Sequence, residues 1–185
     1  MRILIAALFM VGLTAGGTAY AQCSVDGNAS ASCDGDGGNN NIVVDGAVTD
    51  VVQPGGGDDT VTVTESGSVV ATANDAIEDG DNLTVNNSGT LSSVEEDGVD
   101  ALDNLTVDNS GTISSVEDDG IEAEDNATIN NSGTISSVEE YAVNVDDGST
   151  INNSGTISSE QDWALDLLDD TTVNNSGTIS SIVCK

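Results

Sequence analysis

Histidine is absent from this 185-residue chain, and lysine and arginine together number 2 against 33 aspartates and glutamates. Without an imidazole base, the serine triad and its relatives are excluded. The net charge of -31 argues against nucleic acid and anionic membranes as partners, because both are bound through basic side chains. Aromatic residues are also scarce (Trp 1, Tyr 2, Phe 1), so a core must be built from small aliphatic side chains in a repetitive arrangement.

The first residues have the pattern of an export signal. Met1-Arg2 gives a positive start, residues 3–15 are almost wholly apolar, and Ala19-Tyr20-Ala21 has the small-x-small form of a cleavage site. The apolar run is shorter than the ~20 residues that span a bilayer, which favours a signal peptide over a membrane anchor. We therefore predict a signal peptide at 1–21, a cap segment rich in Gly, Asn and Asp at 22–40, and an exported protein.

Three cysteines accompany this export signal. Cys23 and Cys33 lie in the predicted cap and, in an oxidising compartment, could close a disulfide, which would leave Cys184 unpaired. No Cys/His pattern of a metal site is present.

A 22-residue repeat dominates the rest of the chain. The motif Asn-Ser-Gly-Thr recurs with an invariant period, and its glycines are Gly89, Gly111, Gly133, Gly155 and Gly177. Weaker copies upstream place the start of the repeat near Asn41. An invariant period of this length is typical of a solenoid, in which equivalent residues stack about 4.8 Å apart.

Apolar residues recur in four columns relative to this glycine, and we expect all four to point inward. They start at Val63 (four before the glycine), Val69 (two after), Val94 (five after, continuing with Val116, Val138 and Ile182) and Ile77 (ten after). Apolar and polar residues alternate between them, as in β-strands with one buried face, and the β-branched content disfavours helical repeats.

Each unit is thus predicted to hold three short strands, for example Leu105 to Asp108, Thr112 to Val116, and Ile121 to Ala123. The predicted fold is all-β: a right-handed, three-sided parallel β-helix of about six 22-residue coils over residues 41–185. The handedness is inferred from the period alone.

The recurrent Asn and Gly have a structural interpretation. We expect the stacked amides to hydrogen-bond from coil to coil and the glycines to supply a backbone conformation that other residues resist. The predicted ladder is Asn87, Asn109, Asn131, Asn153 and Asn175, each two residues before its glycine.

A column of aspartates is the main candidate for metal binding. One stands in every coil, at Asp81, Asp103, Asp125, Asp147 and Asp169. Unit charges about 4 Å apart repel by roughly 1 kcal/mol in water and roughly 4 kcal/mol at an effective dielectric of ~20. A bound divalent ion, preferably Ca²⁺, would relieve this repulsion. A solvated acidic face whose aspartates cap turns explains the same pattern, and both interpretations stay open.

Two further features, an aromatic pair and the threonine columns, each have a functional and a purely structural interpretation. Tyr141 and Trp163 fall in one column on adjacent coils, where they could form a small sugar-binding platform or simply cover the core. Columns of threonine, including Thr62, Thr84 and Thr106, could order water as in ice-binding proteins, or serve as ordinary exposed strand residues.

The tandem Val-Asn-Asn-Ser-Gly-Thr-Ile-Ser-Ser units behind a signal peptide resemble the passenger region of bacterial autotransporters, over about residues 60 to 182. The resemblance implies a parallel β-helix displayed on or released from a Gram-negative cell by a C-terminal outer-membrane β-barrel. No barrel-like strands follow Ile179, so we expect a fragment or a truncated relative. Host-cell or surface glycans or proteins are the partners that the resemblance implies.

Enzymatic activity is not expected from this sequence. Two carboxylates alone can hydrolyse glycosides, but a catalytic pair is normally a singular departure from a repeat. We therefore predict a non-enzymatic adhesin or structural spacer. A calcium-stabilised acidic rod, an ice-binding protein and a carbohydrate-active enzyme are the alternatives.

Overall fold

The computed structural model describes residues 24–25 and 38–182. The predicted signal peptide, most of the predicted cap and all three cysteines lie outside the described residues, so the signal peptide and the Cys23–Cys33 disulfide stay predictions. Among the described residues no helix is long and apolar enough to cross a membrane.

The described chain is all-β and winds through three parallel sheets as a solenoid of about six turns. Sheet A contains β1 (Ser24–Val25), β2 (Asn41–Val44), β4 (Asp59–Val63), β7 (Leu83–Asn87), β10 (Thr106–Asn109), β13 (Thr128–Asn131), β16 (Thr150–Asn153) and β19 (Thr172–Asn175). Sheet B contains β3 (Ala47–Val48), β5 (Ser68–Val70), β8 (Thr90–Ser92), β11 (Thr112–Ser114), β14 (Thr134–Ser137), β17 (Thr156–Ser159) and β20 (Thr178–Ser181). Sheet C contains β6 (Ile77–Glu78), β9 (Val99–Ala101), β12 (Ile121–Ala123), β15 (Val143–Val145) and β18 (Leu165–Leu167).

From β7 onward, residues that pair on neighbouring strands are 22 positions apart, which is the period of the sequence repeat. Thr106 pairs with Thr84 and Thr128, and Ile113 pairs with Leu91 and Ile135, so each side chain lies over the one 22 residues earlier. This confirms the predicted parallel stack of three-stranded coils. The handedness of the winding stays a prediction.

The first coils depart from that register. Val61, not Val63, pairs with Val85, and Val63 lies over Asn87 instead. In the same way Thr60, not Thr62, lies over Thr84. The predicted columns therefore start wrongly at Val63 and Thr62, because the connection between β4 and β5 is two residues longer than the Asn-Ser-Gly connection of later coils.

The core consists of stacked Val, Leu and Ile side chains, as predicted for three of the four apolar columns. Val85, Leu91 and Val99 are completely buried, one from each sheet. The fourth column is wrong: Val94, Val116 and Ile182 are exposed, Val116 at 39%. Alternation explains the error, because Ile113 and Ser115 point inward on their strand and turn, which leaves Val116 on the outside.

Buried serines replace that fourth column at the turn after sheet B. Ser93, Ser115, Ser137 and Ser159 are buried, and each donates its hydroxyl to a backbone carbonyl 19 residues earlier, as Ser115 Oγ does to Glu96 O at 2.6 Å. Each hydroxyl also accepts a backbone N–H three residues later, such as that of Asp118. The hydroxyls therefore satisfy turn groups that a valine would leave without a partner.

Left-handed backbone conformations occur in a different column from the motif glycines. In the repeat they fall at Asn82, Asn104, Asn126, Gly148 and Asp170, with φ between 57° and 74°, and upstream of these residues Gly55 and Gly57 also have positive φ. Asn, Asp and Gly are the residues that tolerate this region. The motif glycines have another reason: a Cβ on Gly111 would lie 2.2 Å from the carbonyl oxygen of Gly89. The predicted special backbone conformation at these glycines is therefore wrong, since it is close contact between coils that excludes a side chain.

Candidate functional site

The turn aspartates that we predicted as metal ligands (Asp81, Asp103, Asp125, Asp147 and Asp169) lie at the surface, in the turn after sheet C. Each of the first four accepts the backbone N–H of its counterpart one coil later, at 3.3, 3.2, 3.2 and 2.8 Å. One carboxylate oxygen per residue is therefore used to join turns. This geometry suits the turn-capping interpretation, and no residue of this column belongs to the clusters described next.

A second aspartate column, which we call the acidic column, consists of Asp75, Asp97 and Asp119 at the turn before sheet C. The Oδ1 of each accepts the backbone N–H of the residue one coil later, at 2.8, 2.7 and 2.8 Å. Asp97 and Asp119 are buried, unlike the turn aspartates. Their carboxylates thus stack between coils rather than along the surface.

Neighbouring acids make this column a concentration of oxygen ligands. Carboxylate oxygens of Asp97, Asp118 and Asp119 lie within 4.8 Å of one another, and so do those of Asp97, Asp100 and Glu122. Asp97 belongs to both clusters. Such grouped carboxylates are the hard ligands that Ca²⁺ prefers.

Burial changes the protonation of this column. It raises the pKa of Asp97 to about 9, and the charges of Asp118 and Glu122 add to the effect. Burial likewise raises the pKa of Asp100 to about 7, aided by the charge of Asp75. For Asp119, burial raises the pKa to about 7 although hydrogen bonds from the Asn144 amide and the Tyr141 N–H oppose the rise.

No basic side chain offsets these charges. Arg2 and Lys185 are the only basic residues of the chain, so residues 38–182 contain none. A buried carboxylate in this segment must therefore be neutralised by a proton or by a cation from solution.

Tyr141 and Trp163 close the acidic column at its C-terminal end, since they occupy the same position in the next two coils. Their ring centroids are 6.4 Å apart with the planes inclined by 38°. The backbone N–H of Tyr141 binds Asp119, and the Trp163 side chain is 55% exposed. The two rings form a tilted, solvent-accessible pair beside carboxylates.

The Asn ladder (Asn87, Asn109, Asn131, Asn153 and Asn175) forms a continuous chain of amide hydrogen bonds. Each Nδ2 donates to the Oδ1 of the next residue, always at 2.8 Å. Each of these donors also reaches a threonine carbonyl, as Asn131 Nδ2 does to Thr156 O at 3.0 Å. The ladder is buried except for Asn175, so its amides are used in joining coils.

An outer groove of 530 Å³ runs along sheet A beside this ladder, and sequence reasoning missed it. It is lined by the outward residues of the strands, Asn86, Asp108, Asn130, Asn152 and Asn174, and by the serines that follow the ladder. Asn152 Nδ2 donates to Asn130 Oδ1 at 2.8 Å, and the neighbouring pairs repeat this bond. The signal was the residue before each ladder Asn, which is Asn in every repeat but the one with Asp108 and which alternation places on the outside.

No protein-family model, no curated protein and no solved structure matches this chain.

Proposed function

We propose that the chain is an exported, non-enzymatic β-solenoid that serves as a rigid spacer or attachment surface, in the manner of an autotransporter passenger. The observation that carries this proposal is the in-register stacking of coils. From β7 to β20 every strand repeats its neighbour, and the Asn ladder joins five successive coils. A stack of this kind is stiff along its axis because each coil is fixed to the next on all three sheets.

The distribution of polar groups supports a structural role. Buried Asn and Ser side chains donate to neighbouring coils, and the turn aspartates accept backbone N–H groups. Catalysis would instead need a singular group of polar side chains aimed at a substrate. The outer groove of sheet A and the Tyr141–Trp163 pair are the two surfaces on which an attachment role would draw.

Export can be tested separately from display. The full chain, expressed in a Gram-negative bacterium, is expected to reach the periplasm with Gln22 as its first residue, as measured by mass spectrometry of the fractionated protein. A matched chain with Leu13→Arg in the apolar run should stay uncleaved. Uncleaved protein in the cytosol in both cases would contradict the proposal.

Display is tested by fusing residues 22–185 to an autotransporter barrel. Protease shaving of intact cells should release the solenoid from the surface. Binding of these cells to host cells, compared between the parent and Trp163→Ala, then separates attachment from spacing. Val116→Ala, an exposed aliphatic change elsewhere on the coil, is the control. Failure of the fusion to reach the surface would contradict the passenger role.

A calcium-stabilised rod is the second candidate, favoured by the two carboxylate clusters around Asp97. Bound Ca²⁺ stabilises the folded state by an amount that grows with its concentration, about 2.7 kcal/mol at a hundred times Kd. Asp97→Asn should reduce the calcium-dependent rise in melting temperature, whereas Asp125→Asn in the turn column should leave it unchanged. No rise in melting temperature at millimolar calcium would exclude this candidate.

A further inference from the structure

Two carboxyl groups meet near the N-terminal end of the solenoid, and the second of them, Asp79, lies four residues after Asp75, the first member of the acidic column. Asp59 begins β4, two residues after the last glycine of Gly55-Gly56-Gly57, and Asp79 follows β6. Asp59 is only 1% exposed. The two carboxyl groups lie within hydrogen-bonding reach of each other, which places two acids together at the junction of sheets A and C.

One oxygen of each carboxyl group is already used. Asp59 Oδ1 accepts the backbone N–H of Asn40 at 2.6 Å, and Asp79 Oδ1 accepts that of Gly80 at 2.9 Å. The other oxygens, Asp59 Oδ2 and Asp79 Oδ2, are buried and receive no hydrogen bond. As carboxylates the two groups can only accept, so neither satisfies the other.

A third buried oxygen without a donor belongs to Asn40, the residue whose backbone N–H binds Asp59. Asn40 Oδ1 is buried without a donor, although Asn40 itself is joined to Asp59 through its backbone N–H. Its Nδ2 donates to Gly38 O at 2.6 Å and to Pro54 O at 2.8 Å, which fixes the orientation of the amide. Exchanging the amide oxygen and nitrogen would therefore place acceptor against acceptor. Unsatisfied buried acceptors each cost about 1–3 kcal/mol, and more when charged.

We propose that Asp59 and Asp79, together with the side-chain oxygen of Asn40, bind a divalent cation that fastens the first coils of the solenoid. The three residues come from three separate segments, before β2, at the start of β4 and after β6. Two carboxylates and an amide oxygen are hard ligands that suit Ca²⁺, with water or backbone carbonyls completing its shell. Because residues 38–182 contain no basic side chain, the charge of the pair is neutralised either by a proton or by a cation from solution, and the test distinguishes the two.

The proposed site shares no residue with the clusters around Asp97 and does not depend on export or display, so its test can fail or succeed by itself. The test uses the purified full chain, freed of metal with a chelator, and calcium as the probe. Bound calcium per chain is measured by equilibrium dialysis at pH 8 for the parent, Asp59→Asn, Asp79→Asn and the control Asp58→Asn. Asp58 is exposed and adjacent, so its change removes the same charge without touching the pair.

Asp58→Asn is expected to bind as many ions as the parent, and Asp59→Asn and Asp79→Asn one ion fewer. Without calcium, Asp59→Asn should melt at or above the parent, because the new amide can donate to Asp79. Circular dichroism checks that each variant is folded, and the second variant replaces the first if one is not. Equal calcium binding by Asp59→Asn, Asp79→Asn and Asp58→Asn would overturn the proposal, and so would a parent that binds no calcium, which would indicate a carboxyl pair sharing a proton.

Discussion

Asn131→Ala removes the central rung of the Asn ladder and tests how much the ladder stabilises the solenoid. Asn131 is 2% exposed, accepts Asn109 Nδ2 and donates to Asn153 Oδ1, both at 2.8 Å. Alanine leaves Asn153 Oδ1 buried without that donor, whereas Asn109 Nδ2 keeps a threonine carbonyl at 3.1 Å. One orphaned acceptor costs about 1–3 kcal/mol and each further lost bond about 0.5–1.5, so we expect a loss of roughly 3 kcal/mol.

The matched control is Asn175→Ala at the last rung. Asn175 is exposed and receives a single ladder bond, from Asn153 Nδ2, which retains Thr178 O at 3.1 Å. We expect Asn175→Ala to lower the free energy of unfolding by about 1 kcal/mol or less. Urea denaturation followed by circular dichroism compares the midpoints and slopes of the two variants with the parent. Equal destabilisation by both changes would refute the reasoning that burial within the ladder sets the cost.

Three other predictions concern the stack as a whole. Burial raises the pKa of Asp97 to about 9, whereas the unfolded side chain ionises above about pH 4, so its contribution to stability is complete below pH 4 and is lost as pH rises to 9. The free energy of unfolding, measured by urea denaturation in chelator, should therefore fall between pH 5 and pH 9 by at most about 1.4 kcal/mol per pH unit for this group. A free energy of unfolding that rises over this range would contradict the assignment. Gly133→Ala should strongly destabilise the fold, because the new Cβ would lie 2.1 Å from the carbonyl oxygen of Gly111. Gly80→Ala is the control, since its Cβ would meet no atom within 4 Å and should be tolerated. Equal melting temperatures of the two variants would argue against the close contact at Gly133. In denaturant titrations, Ile113→Ala should lower the free energy of unfolding by about 2–5 kcal/mol and Val116→Ala by less than about 0.5 kcal/mol. A large decrease for Val116→Ala would mean that the Val94 and Val116 column points inward.

The architecture could be predicted because the period is strict. Once every residue has a counterpart 22 positions away, parallel pairing and stacked columns follow, and the predicted strand at Ile121 to Ala123 coincides with β12. Two errors of the sequence prediction have one cause, which is that aligning residues by a fixed period ignores the conformation and length of the connections between strands. It placed Val116 inside although alternation carries it outside, and it aligned Val63 with Val85 although a longer turn shifts the register.

The candidate sites were harder to predict than the fold. Asp81 and Asp97 look alike in the sequence because both belong to columns of aspartates. Asp81 is nevertheless exposed in the turn after sheet C, whereas Asp97 is buried in the turn before it, and the sequence of the two turns does not distinguish these orientations. Asp59 and Asp79 are twenty residues apart and lie outside the regular period, so no column brings them together. Their proximity depends on how the irregular first coils close, and local pattern does not specify that.

The in-register stacking makes the length of the molecule adjustable in fixed increments. A duplication or loss of one whole 22-residue unit adds or removes a layer of about 4.8 Å and recreates the same neighbours on either side of the junction. A change of any other size must be absorbed by a connection between strands, as the longer β4–β5 connection does, or the amides and aliphatic side chains of the next layer lose their counterparts. Natural variants of such a chain should thus differ in reach by whole layers while keeping an unchanged cross-section.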